Sequence, residues 1–372
     1  MSIYMNKKNK ILFLLHQPPP VHGSSIIGRN ILQSKKINQK FSCQYINLLA
    51  SKNIEETGNF KFSKILHTFK LNFLLLHQLL KGKPQLCYIA LTVTGYAFFR
   101  DFFLIVLLRL FKVKTVYHLH NKGVVKKQEK KTYKLLYSYI FKNTDVILLS
   151  EILYEDIKSF VPFSKVHICP NGIEDTLLKN NNHTENKKTK LLFLSNLIES
   201  KGVFVLLEAC YLLKNKGLEF HCEFVGKEAD VSKNIFEKKV IDLSLQDYVR
   251  YAGAKYEKKK EEVLSQTDIF VFPTFYEYEC FPLVLLEAMS YALPVISTYE
   301  GGIPDIINNE KTGFLVPQRN IEILAEKLEI LIKDADLRKT MGKAGRKKFE
   351  KEFTMLIFEK NILQILNSLC KY

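Results

Sequence analysis

The chain has 372 residues, 47% of them hydrophobic, 12% aromatic and 25% charged, which excludes a small stapled scaffold and a largely disordered chain and points to two globular domains. The formal net charge is +17, and the excess is confined to one half: residues 1–172 carry 26 Lys and Arg against 8 Asp and Glu, whereas residues 173–372 carry 29 against 30. That asymmetry favours contact between the first half and an anionic surface, either nucleic acid or the acidic face of a membrane.

The first twenty residues, MSIYMNKKNKILFLLHQPPP, join a basic stretch to an apolar run. The run, 11–15, is shorter than the ~7 to 15 residues of a signal-peptide core and no small-residue cleavage site follows, so it is expected to form a first buried strand. Further short, β-rich runs follow at 43–48, 85–91, 115–119, 146–149 and 166–169. Most of the intervening segments are long enough for crossover helices, the pattern of parallel βαβ units. In the segment 62–80, Phe62, Ile65, Leu66, Phe69, Phe73, Leu76 and Leu80 recur at three- and four-residue spacing and predict a helix with one apolar face. The most apolar region, 98–111, is interrupted by Arg100, Asp101 and Arg109. A bilayer span needs ~20 nearly uninterrupted apolar residues, so no transmembrane helix is expected.

The polar stretch 179–190 (KNNNHTENKKTK) lacks any apolar side chain and reads as a linker. Beyond it a second series of strands is predicted at 191–195, 221–225, 249–252, 269–273 and 294–297. Two doubly wound, Rossmann-like α/β domains in tandem account for both series. Ligands of such sheets bind outside the carboxyl ends of the strands, which makes a cleft between the domains the expected active site. The seven cysteines, at 43, 87, 169, 210, 222, 280 and 370, are odd in number, far apart and without metal-ligand spacing. They are expected to be reduced, mostly buried thiols of a cytoplasmic protein.

The segment 275–305, FYEYECFPLVLLEAMSYALPVISTYEGGIPD, carries the most chemistry. Pro282 suits a first helical position and strong helix formers follow it. Glu279 is then expected in a loop, and Glu287 more than one turn inside the helix. Free amides near Leu283 and Val284 would suit a diphosphate. Carboxylates in these places can accept hydrogen bonds from ligand hydroxyl groups.

This order of residues, E-x7-E within ECFPLVLLEAM followed by LPVIST, EGGIPDII and TGFLV, resembles the retaining nucleotide-sugar glycosyltransferases of family 4, and the resemblance covers nearly the whole chain. It implies a GT-B fold, two facing Rossmann-like domains with an interdomain cleft: an acceptor-binding domain at 1–178, with the C-terminal helix near 355–372 packed back on it, and a donor-binding domain at 188–354. By the same resemblance Glu279 lies beside the donor sugar, Glu287 holds the ribose hydroxyls, and Phe281, Pro282 and Leu283 line the donor site. In LSNLIESKG, Lys201 matches a lysine on the donor diphosphate, whereas Asn196 stands where the family usually has arginine. PPPVHGSS resembles the family's glycine-rich loop, with Gly23 alone remaining of the usual pair and His22 in the other place. His120, in VYHLHNKG, matches a strand-end histidine near the donor sugar, with His118 two residues earlier on the same strand. Asn171-Gly172 resembles the turn leading out of the first domain.

The one Asp-x-Asp pair, Asp334 and Asp336, reads as a helix start, and no bound metal or cofactor is expected. The implied reaction is metal-independent transfer of a hexosyl or N-acetylhexosaminyl group from a UDP- or GDP-linked donor to a saccharide or polyprenyl-diphosphate-linked acceptor, with surface polysaccharide as the product. A basic cluster, Lys122, Lys126, Lys127, Lys130, Lys131 and Lys134, would hold the cytoplasmic protein peripherally on the inner face of the cell membrane. Alternatives of other classes are a nucleotide-sugar epimerase of the same architecture, a non-catalytic relic, and a nucleic-acid-binding protein, for which no zinc-finger, RNA-recognition or basic-zipper pattern is present.

Overall fold

Strands that read as unbroken apolar runs are covered on both faces, and Leu86–Leu91 (LCYIAL) is buried at all six positions. The computed structural model describes residues 8–49, 62–175 and 188–371. The chain divides into two compact units, Met1–Asn171 with Leu356–Tyr372, and Gly172–Met355. Most of the predicted linker, 179–187, lies outside the described residues.

In chain order the first unit contains β1 (Lys10–Leu15), α1 (Gly23–Gln33), α2 (Lys35–Lys40), β2 (Ser42–Asn47), α3 (Phe62–Lys81), β3 (Leu86–Leu91), α4 (Gly95–Leu110), β4 (Thr115–Leu119), α5 (Val124–Lys127), α6 (Lys131–Phe141), β5 (Asp145–Leu148) and β6 (Val166–Ile168). Its six strands are parallel in the order β2-β1-β3-β4-β5-β6. The order reverses between β1 and β3. Right-handed crossovers then put α1 on one face of the sheet and α3, α4 and α6 on the other.

The second unit contains β7 (Thr189–Leu194), α7 (Val203–Asn215), β8 (Phe220–Val225), α8 (Lys233–Asp242), β9 (Val249–Tyr251), α9 (Glu257–Ser265), β10 (Ile269–Phe272), α10 (Leu283–Ser290), β11 (Val295–Thr298), α11 (Ile303–Ile306), β12 (Gly313–Val316), α12 (Ile321–Lys333) and α13 (Ala335–Glu352). Its order, β12-β11-β10-β7-β8-β9, is again parallel and reverses between β7 and β10. The sequence predicts five of these strands and misses β12. GFLV is only four residues long, and it is buried beside β11 with Gly313 Cα so close that an added Cβ would lie 2.0 Å from the Val295 carbonyl oxygen.

The last helix, α14 (Met355–Cys370), belongs mainly to the first unit. It buries Phe358, Ile362, Leu366 and Leu369, a stripe at helical spacing. Ser34 Oγ donates to Glu359 at 2.5 Å, and Lys114 Nζ to the Leu369 carbonyl at 2.7 Å. The two points where the chain passes from one unit to the other lie side by side: Ile173 N donates to Phe353 O and Met355 N to Ile173 O. A bidentate pair, Arg346 to Asp175 at 2.8 and 2.6 Å, fastens this junction to α13, and the same guanidinium holds the Ser290 carbonyl.

Helix α3 forms where the periodicity predicts it but turns a different face inward. Leu71, Leu75 and Leu79 are buried, whereas Leu66, Phe69, Phe73 and Leu80 of the predicted apolar face are exposed. The helix is apolar on two sides, and spacing alone does not say which one the sheet takes. All seven cysteines are free thiols; Cys43 and Cys370 are half-buried and the other five are buried. Asp334 caps α13, accepting from Leu337 N at 2.8 Å, so the Asp-x-Asp pair is the helix start read from the sequence.

Candidate functional site

In the second unit the loops after β7 and β10 emerge next to each other at the point where strand order reverses, the usual ligand crevice of a doubly wound sheet. They are stitched together: Phe275 N donates to Ser200 O at 2.7 Å. Close approach is possible because residue 202 is glycine. Its φ is +92°, and a Cβ there would lie 2.3 Å from the Pro273 carbonyl oxygen.

Lys201, at the end of the first loop, donates to the carboxylate of Glu279 in the second. Both side chains are largely withdrawn from water. The ammonium also lies 4.6 Å from the centre of the Tyr276 ring and 5.4 Å from that of Phe272. Burial, followed by the Glu279 and Glu277 carboxylates, pushes the Tyr276 phenol upward, so it remains a neutral hydrogen-bonding group. The EGG segment backs this loop: Gly302 N donates to Cys280 O at 2.7 Å, and Gly301, at φ +55°, passes so near that a Cβ would lie 2.1 Å from Glu279 O.

Glu287 lies in α10 as expected. One of its oxygens accepts from Lys260 Nζ at 2.7 Å, while the other is buried with no partner in the protein. A buried, unpaired carboxylate oxygen is costly, and a ligand hydroxyl would satisfy it. Pro282 is the N-cap of α10, not its first residue, and no side chain caps the helix. The first amides, at Leu283 and Val284, therefore lack intrahelical partners. Phe281, Pro282 and Leu283 are buried, and Phe281 packs on Phe353 with ring centres 5.7 Å apart. Among the described residues the Asn196 carboxamide has no hydrogen-bond partner, and it brings no charge. A nearby cation that the sequence did not signal, Arg319, stacks on Phe275 at 4.2 Å.

In the first unit, histidines gather at the carboxyl ends of β1 and β4. His22 caps α1: its Nδ1 accepts from Ser25 N at 3.3 Å and its own N–H donates to Ser25 Oγ at 2.9 Å. His16 follows β1, with its ring centre 6.0 Å from that of His22. Burial, then the Arg100 guanidinium and the other imidazoles, hold His16 well below the usual histidine range. Arg100 faces its Nε2 at 3.4 Å, so that nitrogen accepts and Nδ1 carries the proton toward Ser24 Oγ at 2.7 Å. Arg100 in turn pairs with fully buried Asp101, whose other oxygen accepts from Thr92 N at 3.0 Å. Two of the three charges that interrupt the apolar run of α4, Arg100 and Asp101, therefore organise the surroundings of His16, a role the sequence reading did not give them.

Of the two strand histidines, His118 is sealed inside the sheet and bonded to Tyr88 Oη at 2.5 Å. His120 lies one residue beyond β4, part-exposed, with its Nδ1 unpartnered. Burial, and then His22, lower its pKa to about 3. Both therefore carry neutral rings near pH 7, and only His120 can meet a ligand. Gly23 opens α1 without a positive φ. The glycine that closeness requires here is Gly28, where a Cβ would lie 1.9 Å from His16 O.

Residues 174–348 match the family model described as glycosyl transferases group 1. The match spans almost the whole of the second unit. Over 273 residues the chain is 28% identical to the amylovoran biosynthesis glycosyltransferase AmsK of Erwinia amylovora, covering 70% of this chain and 66% of AmsK. Over 246 residues it is 28% identical to the capsular polysaccharide biosynthesis glycosyltransferase CapM of Staphylococcus aureus, covering 62% and 63%. The chain spans just under two thirds of the length of either relative. Among solved structures, Anabaena Alr3699/HepE in complex with UDP matches 96% of this chain and all of its own, with TM-score 0.73 and 16% identity. That likeness shows the fold: both units are Rossmann-like, doubly wound domains of the GT-B type.

Proposed function

We propose that the protein is a retaining glycosyltransferase that moves a sugar from a nucleotide-diphosphate donor to a saccharide or lipid-linked acceptor at a membrane surface, in the assembly of a surface polysaccharide. The observation that carries this reading is the meeting of Lys201, Glu279 and the uncapped start of α10 at the switch point of the second sheet. A cation and free amides suit a diphosphate. The carboxylate suits a sugar that becomes positively charged as its bond to the diphosphate breaks. Glu287, with one oxygen unsatisfied, suits the ribose hydroxyls.

In this reading the bond from the anomeric carbon to the diphosphate oxygen breaks, and the acceptor oxygen forms its bond on the same face. The acceptor proton passes to the departing diphosphate, whose charge Lys201 and the helix amides neutralise without a metal. His120, with a pKa near 3, is a weak base at neutral pH and positions the sugar through hydrogen bonds. The donor is substrate, so no cofactor is required. HepE, a protein of this fold, was solved with UDP, which supports a UDP-linked donor, with GDP the other base to test; AmsK and CapM are named for polysaccharide biosynthesis, which supports a polysaccharide product. Calorimetric titration of the protein in chelator with UDP, GDP and ADP tests the donor site. Micromolar binding of one nucleotide is expected, and binding of none would remove the reading.

A further inference from the structure

The misassigned face of α3 leaves a surface to explain. Leu66, Phe69 and Phe73 point outward at helical spacing, the two phenylalanines each 70% exposed. Beside α3, and joined to it by Thr68 Oγ1 and Tyr96 Oη at 3.2 Å, α4 presents Phe99, Phe103 and Leu110 to solvent along one face. Rings tie α4 to α6, with Phe102 and Tyr139 centred 5.7 Å apart, and α6 exposes Leu135. These three helices lie on one side of the sheet. No described element covers their outer apolar residues.

The charges around this surface are mostly positive. From residue 62 to residue 142 there are 15 Lys and Arg and only two carboxylates, Asp101 and Glu129. Asp101 is fully buried against Arg100, so α3, α4 and α6 expose no acidic side chain at all. A mainly basic recess of about 480 Å³ lies at the C-terminal end of α4, lined in part by Arg109, Lys112, Lys114, Lys142 and Lys165, with one carboxylate, Asp145, paired to Lys165. Exposed aromatic and leucine side chains ringed by cations have the composition of a surface that lies in the headgroup region of an anionic bilayer.

We propose that the outer face of the α3–α4–α6 layer docks on an acidic lipid bilayer, with Phe69, Phe73 and Phe103 entering the interface and the surrounding lysines meeting anionic headgroups. This extends the membrane part of the function proposed above and names the surface, which the lysine run of α5 and α6 borders but does not supply with apolar side chains. A protein partner with an acidic apolar groove, or a second copy of the chain, would be the competing occupants. A second copy would bring the same cations against each other, which disfavours it.

The test is co-sedimentation of the full chain with vesicles of phosphatidylcholine alone or with 30% phosphatidylglycerol, for the parent and for F69A/F73A/F103A. All three side chains are exposed, so folding is expected to be kept, and circular dichroism checks it. The parent should bind acidic vesicles at least tenfold more tightly than neutral ones, and the variant should lose at least tenfold on acidic vesicles. Nucleotide affinity, measured in parallel, should be the same in both; if it is absent in both, the donor-site reading fails while the vesicle result stands. Equal binding of parent and variant to acidic vesicles would overturn the proposal. So would a parent dimer in sedimentation equilibrium that the triple substitution converts to monomer.

Discussion

Lys201 donates to Glu279 across the reversal point of the second sheet, with both side chains largely out of water. In the proposed donor site the carboxylate would hold in place the cation that a diphosphate shares, while repelling that diphosphate. Glu279→Gln removes the repulsion and the charge that would stabilise a cationic sugar. Nucleotide affinity should hold or rise, while sugar transfer falls by about a hundredfold or more. Lys201→Ala should instead weaken nucleotide binding by about tenfold or more. Calorimetry and turnover measured on the same preparations separate the two outcomes, and a parallel loss of both quantities in Glu279→Gln would contradict these roles.

Glu287 has one oxygen on Lys260 and one without a partner. Replacing it by alanine should reduce affinity for the nucleotide about tenfold, yet leave affinity for the matching 2′,3′-dideoxynucleotide unchanged, because only the former has hydroxyls to lose. Unchanged affinity for both would remove the ribose assignment.

Asn196 stands where the resembled loop usually has arginine, and its carboxamide has no hydrogen-bond partner among the described residues. Asn196→Arg adds a charge-assisted donor beside the Lys201 loop and is expected to tighten nucleotide binding several-fold, with the gain shrinking as salt is raised. An unaltered affinity at low salt would mean that the loop does not approach the phosphates.

Gly202 is the residue on which the approach of the two loops depends. Gly202→Ala introduces a Cβ 2.3 Å from Pro273 O at a φ of +92°. Strain of this kind costs on the order of 1–3 kcal/mol, which should lower the melting temperature and weaken nucleotide binding together. A folded variant of parental stability and affinity would contradict the close approach.

The alternation of apolar runs in the sequence makes the two parallel sheets legible, because strands buried on both faces have no choice of side. Helix α3 is different. It carries apolar residues on two sides, and the stripe most regular in spacing is the one the sheet leaves uncovered. Site residues divide in the same way. Lys201, Glu279 and Glu287 stand out by their place in an ordered motif, but Lys260 is one of several charges in EKKKEE and only the packing of α9 against α10 selects it. Arg100 and Asp101 read as interruptions of an apolar helix; their pairing beneath His16 follows from the meeting of α4 with the end of β1, which spacing does not encode.

Acid should unfold the protein through its histidines. His16, His22, His118 and His120 all have folded pKa values below the ordinary 6.5, chiefly because burial disfavours the charged ring. A depressed folded pKa means that the unfolded chain binds the proton first. The stabilisation is complete above about pH 6.5 and is lost as pH falls, for His120 until about pH 3. Each such ring adds up to ~1.4 kcal/mol per pH unit to the slope within its window. In urea titrations at pH 7, 6 and 5, His120→Asn should show a shallower loss of stability than the parent, and parallel curves would contradict a neutral His120 ring in the folded protein.

The central claim is tested most directly by following the sugar itself. The purified protein, in chelator, is incubated with the α-linked nucleotide sugar whose nucleotide it binds and with a lipid-linked saccharide extract, and the product's anomeric proton is read by NMR. An α-linked product formed by the parent and lost in Glu279→Ala is the expected result. No transfer by a folded, nucleotide-binding protein, or a product of inverted configuration, would contradict it.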